Sequence, residues 1–261
     1  MDTALQTRTA NTSRLAIPPV WRLTATELRK MVDTRGGIAL LVGIELLVAA
    51  LVVVQLVTAR GEARTFSGLF ATSLIPVSIF LPVLGILSVT SEWSQRTALT
   101  TFALVPRRWR VLLAKVLGAA ALALLAVEAC LATAAAGNAL GAAFTHGNGS
   151  WHFTGRMLGG ALLAQLLFVL MGIAFGLLLK SSPLAIVIYF VIPNAWTVLG
   201  NLVSWLRSWA AWLDLNTTTG PLLQDASLTA QSWAKVAASV GLWVLLPLGV
   251  GLIRLLREEV K

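Results

Sequence analysis

Six apolar runs, each about the length of a membrane crossing, dominate this chain. They lie near Ile38–Thr58, Leu69–Val89, Val116–Ala136, Met157–Leu179, Leu184–Val203 and Val236–Ile253. A hydrocarbon core of ~30 Å is crossed by about 20 apolar residues in a helix. In lipid the backbone must satisfy its own hydrogen bonds, which restricts such runs to helices. The predicted fold is therefore all-α and polytopic, with six transmembrane helices. Composition agrees: charged residues are 12% of 261, against a usual ~25%, and mean hydropathy is +0.82. So few charges cannot cover the surface of a water-soluble domain of this size.

The charges that remain are unevenly placed. Twenty Lys and Arg face eleven Asp and Glu, a net +9. In a soluble protein that excess would point to nucleic acid. Here 15 of the basic residues fall in the N-terminal segment, the segment between spans two and three, Lys180 and the C-terminal segment, and five fall in the alternate connections. Loops that stay cytoplasmic retain Lys and Arg. The expected topology thus has both termini cytoplasmic in a plasma (inner) membrane, with the lipid bilayer as partner and no nucleic acid. The first 36 residues lack the apolar core of a signal peptide, so the first span is expected to be retained.

Residues 1–16 read as a disordered tail, and 17–261 as a single membrane domain. After Pro18 and Pro19, the residues Val20, Trp21, Thr24, Leu28, Met31 and Val32 recur at helical spacing. Arg22, Glu27, Arg29 and Lys30 fall on other faces. This predicts an amphipathic helix lying in the inner interface, or else a helix docked on the protein. Asn138–Gly155 is glycine-rich and reads as a flexible turn with little helix. In Leu202–Ala234, Trp205, Trp209 and Trp212 are spaced to share one face of a short helix at the outer interface.

Catalytic patterns are missing. There is no G-x-x-x-x-G-K-[ST] phosphate loop, no H-E-x-x-H and no G-x-S-x-G, so no enzymatic activity and no cofactor are expected of this chain. The single Cys130 excludes an internal disulfide, and His146 and His152 lack a third ligand for a metal. Within the spans, Glu45, Gln55, Glu128 and Gln165 are the candidate polar residues. They read either as the lining of a pathway or proton site, or as packing groups. Gly155-x-x-x-Gly159 and Gly172-x-x-x-Gly176 permit close helix contact, internal or between copies.

The segment Ser91–Arg110, SEWSQRTALTTFALVPRRWR, is too long for a plain connector. Its middle has the composition of a short helix that Pro106 would end. Together with RLTATELRKMVDTRGG (Arg22–Gly37), it resembles the membrane-spanning permeases of the ABC type-2 exporter family. The matching positions are Glu92, Arg96-Thr97, Pro106, Arg107-Arg108 and Lys115, with Arg96 where the family often has Gly. The resemblance implies a coupling helix near Ser91–Ala103. Glu92, Trp93, Arg96, Thr97, Pro106, Arg107 and Arg108 would then form a docking loop for a separate ABC ATPase subunit. It also implies a second permease copy, identical or closely related, with ATP and Mg used by the ATPase partner. The expected activity is export of an amphipathic or hydrophobic cargo. Two alternatives stay open: a proton-coupled secondary transporter using Glu45 or Glu128, and a non-transporting membrane scaffold.

Overall fold

The computed structural model describes residues 19–58, 64–94, 108–144, 149–224 and 227–257; the expected tail over 1–16 lies outside them. Helix α1 (Val20–Val32) leads into α2 (Arg35–Thr58), followed by α3 (Phe66–Ser94), α4 (Arg108–Phe144), α5 (Gly155–Leu179) and α6 (Ser182–Leu202). Two short helices, α7 (Arg207–Leu213) and α8 (Leu215–Thr219), precede α9 (Ala230–Val240), a π-helical turn at Gly241–Leu245, and α10 (Leu246–Arg257). No strand occurs among the described residues. Among the described residues six helices are long and apolar enough to cross a membrane: α2, α3, α4, α5, α6 and the continuous α9–α10 rod. They coincide with the six runs read from the sequence, and the chain is an all-α, multi-pass membrane protein.

Helices α3 and α5 form the centre of the bundle, and glycines set their spacing. A Cβ at Gly85 would lie 2.8 Å from the Val169 carbonyl oxygen. One at Gly172 would collide with the Pro82 carbonyl, and one at Gly176 would lie 3.1 Å from that of Ile86. The Gly172/Gly176 pair is therefore an internal contact, whereas Gly155 and Gly159 have no neighbour within 4 Å. Without a hydrophobic drive between helices in lipid, such close backbone approach supplies the dispersion energy of association.

Pro76 and Pro82 lie inside α3, where each removes a donor and weakens the preceding turn. Side chains of neighbouring helices reach that turn. Cys130 Sγ donates to the Ser73 carbonyl at 3.4 Å, and Gln165 Nε2 to that of Leu74 at 3.4 Å. In the last crossing Pro247 has the same consequence. The turn before it becomes π-helical, with the Leu246 N–H bonded to the Gly241 carbonyl. Trp243 in that turn donates from its indole to the Leu213 carbonyl at 2.5 Å, tying the last crossing to the α7–α8 cap.

Two expectations need correction. Residues 138–144 are not a flexible turn: they extend α4 to Phe144, since Ala and Leu between the glycines sustain the helix. Trp205 is not part of the short helix carrying Trp209 and Trp212. It sits in the turn before α7, because α6 ends at Leu202 and Val203 is extended.

Candidate functional site

At one end of the bundle α1, the close of α3, the start of α4, the close of α5 and α10 converge. A charged cluster is buried there. Lys115 of α4 is 3% exposed, and Glu27 of α1 and Glu92 of α3 are 5% exposed each. Lys115 Nζ lies 2.6 Å from Glu27 Oε2, 2.9 Å from Glu92 Oε1 and 2.7 Å from the Ser88 carbonyl. An ammonium group has three protons to give, and three oxygens surround this one. Towards Glu92 the contact is an ion pair rather than an aligned hydrogen bond. Half-exposed Lys30 closes the cluster, 2.7 Å from Glu27 Oε1 and 3.9 Å from Glu92 Oε1. Two carboxylates and two ammonium groups leave no net charge, the condition under which burial is tolerable.

Local sequence explains how each member arrives. Glu27 is three residues after Thr24 and four before Met31, so helical spacing places it on the packed face of α1. Gly118 of α4 allows the approach: a Cβ there would be 3.3 Å from the Leu28 amide nitrogen. Helix α1 is thus docked on the protein through Glu27 and Met31, with Trp21, Arg22 and Arg29 exposed. The placing of Glu27 on an outward face is thereby corrected: it faces the protein. Burial pulls the Glu27 carboxyl upward, but Lys115 and Lys30 outweigh it and hold the group below its ordinary value of 4.5.

Around the cluster the remaining helices close in. Glu92, Trp93 and Lys115 share a crevice with Leu177 of α5 and Leu255 of α10. The Lys180 ammonium lies 5.5 Å from the centre of the Trp93 ring, within cation–π range. Lys180 is the left-handed cap of α5, with φ 54°. Arg254 donates to the Leu178 carbonyl at 3.1 Å.

Of the loop residues anticipated from sequence, Glu92 and Trp93 lie in the last turn of α3, inside this assembly. Arg96, Thr97, Pro106 and Arg107 fall outside the described residues, and Arg108 opens α4 with its side chain outside them. The structure does not bring the four polar span residues together with the cluster. Glu45 lies on the exposed surface of α2 and accepts a hydrogen bond from Thr133 at 2.6 Å. Glu128 is exposed on α4, and Gln55 is half-buried on α2. Gln165 is 1% exposed in the core, where it serves the proline-weakened turn of α3. Among the described residues no three His, Cys, Asp or Glu side chains are placed to hold a metal.

Sequence reading did not foresee the cluster: Lys115 was read as the lysine that closes the segment resembling the permeases, and Glu27 and Lys30 as residues on the other faces of the amphipathic helix. The signal was present: Lys115 stands between apolar neighbours in VLLAKVLG (Val111–Gly118), and a lysine so placed needs an acidic partner. No protein-family model and no curated protein matches the chain.

Proposed function

We propose that this chain is the membrane-spanning permease subunit of an ATP-binding-cassette exporter, working as a pair of copies with a separate ATPase. The observation that carries this reading is the buried Glu27–Lys115–Glu92 cluster. It joins a surface helix, the point where residues 95–107 leave α3, and the start of α4 into one stiff unit. A force applied by a partner at the 95–107 segment would pass directly to α1, α3 and α4 rather than dissipate in a flexible loop. The basic excess at the same end supports a cytoplasmic orientation. Glu45 and Glu128, on the outward surface of the single chain, give less support to a proton relay through its interior.

Co-expression with the ATP-binding-cassette ATPase subunits of the same organism tests this. A stable complex is expected, with ATP hydrolysis that responds to the permease. Arg96→Glu should weaken that complex while leaving the permease folded. Intact association in Arg96→Glu and in a variant with residues 96–105 replaced by Gly-Ser linker would refute the docking assignment. Absence of any ATPase complex would refute the class.

A further inference from the structure

A cleft separate from the ion cluster lies between α3, α5 and α6, beneath α8. Its volume is about 240 Å³, and its walls include Ile79, Phe168, Met171, Tyr189, Asn194 and Leu215. No charged side chain lines it. Tyr189 is 7% exposed and lines the cleft; its hydroxyl makes no hydrogen bond among the described residues and keeps access to that space. Its ring is already fixed edge-on, 5.1 Å from Phe190 and 6.4 Å from Phe175. A buried phenol normally finds a partner, because an unmet donor in an apolar site is costly. Asn194 Nδ2 is already committed, donating to the Phe190 carbonyl at 2.7 Å.

The roof of the cleft is well held. Asp214 accepts from the Asn216 amide at 2.9 Å, from Thr217 Oγ1 at 2.9 Å and from Thr197 Oγ1 of α6 at 2.8 Å. This pins Leu215 and Asn216 over the opening. The space is therefore a formed site: mostly apolar and aromatic walls, the Tyr189 phenol beside the neutral polar side chains of Ser78, Asn194 and Asn216, and no charged group.

We infer that this cleft binds the acyl end of an uncharged amphiphile, with Tyr189 donating to a carbonyl oxygen. A carboxylate or an ammonium group would enter without a counter-charge and lose its hydration. At ~300–1,000 Å³ for a drug-sized pocket, this smaller cleft holds part of a molecule, an ester or amide with the adjoining chain. That such a molecule is the transported cargo rests on the exporter reading; the binding itself does not.

The experiment uses the full chain in phosphatidylcholine nanodiscs and a diazirine-bearing monoacylglycerol as the photoprobe, with labelled residues mapped by mass spectrometry. Labelling is expected at Phe168–Met171 or Tyr189–Asn194. It should be suppressed by unlabelled monoacylglycerol and not by an alkyltrimethylammonium or a fatty-acid anion of equal length. The isosteric Tyr189→Phe should weaken apparent binding about 2- to 10-fold, the range for one neutral hydrogen bond. Met171→Trp, which fills the space, should abolish it. Labelling no stronger than on the lipid-facing surface of α2, equal competition by the charged analogues, or unchanged binding in Tyr189→Phe would each overturn the inference. Specific labelling without any ATPase partner would leave the cleft standing and remove the exporter reading; an ATPase complex without labelling would do the reverse.

Discussion

Replacing Lys115 by Met removes one positive charge from a site that buries two carboxylates. At 2.6 and 2.9 Å and an effective dielectric constant of about 20, each attraction is about 6 kcal/mol. Desolvation of the three buried ions costs several kcal/mol apiece, so the intact cluster contributes little net stability. Breaking it is another matter. Glu27 and Glu92 would remain buried with only half-exposed Lys30 nearby, and loss of one buried partner typically costs about 3–5 kcal/mol. At 1.36 kcal/mol per tenfold, α1 would leave α4 about 100-fold to several thousand-fold more often. Hydrogen exchange in nanodiscs reads this directly: amides of α1 should lose protection in Lys115→Met while those at the centre of α5 keep theirs. A triple variant, Glu27→Leu with Glu92→Leu and Lys115→Met, should recover most of the protection, because the charges then leave together. Lys30→Met should change little, under about 1 kcal/mol, as expected of an exposed pair. Unaltered α1 exchange in Lys115→Met, or a triple variant as damaged as the single one, would refute the account of the cluster.

Acid should release the same helix. Glu27 titrates below its ordinary 4.5, so its contribution is present above that value and is lost as pH falls through the lowered one. Protection of α1 amides, taken relative to the intrinsic exchange rate at each pH, should hold from pH 8 to 5 and fall only below about 4.5; a fall between pH 7 and 5 would contradict the assignment. Gly172→Ala should destabilise the protein by about 1–3 kcal/mol through collision with the Pro82 carbonyl, whereas Gly159→Ala, facing open space, should be neutral in thermal unfolding. Trp243→Phe removes the bond to the Leu213 carbonyl. It should cost about 0.5–1.5 kcal/mol, visible as faster exchange over residues 207–224 without change in α3.

What was legible in the sequence follows from the range over which each signal acts. A crossing helix is specified by some twenty consecutive residues and their solvent, so all six were readable, as was the amphipathic α1. The end of α4 was misjudged because glycine content outweighed the Ala and Leu between. Trp205 was placed in a helix because spacing alone cannot register the extended Val203. In the candidate site, Glu92 and Trp93 were singled out as loop residues, but their surroundings were not foreseen.

From the sequence alone came the all-α membrane architecture and the distribution of charge along it, because the transfer of apolar segments out of water is a local property. Only tertiary structure decided which polar groups are inside. Glu27 and Lys115 are separated by 88 positions, and no local pattern distinguishes a charge facing water from one facing a counter-charge across a helix crossing. The same holds for Gly172 against Gly159, and for Gln165 against Glu45. In each of these two pairs both members are small or polar residues set in apolar runs of sequence. The packing of α3 against α5 makes the first member of each pair structural and leaves the second on the surface.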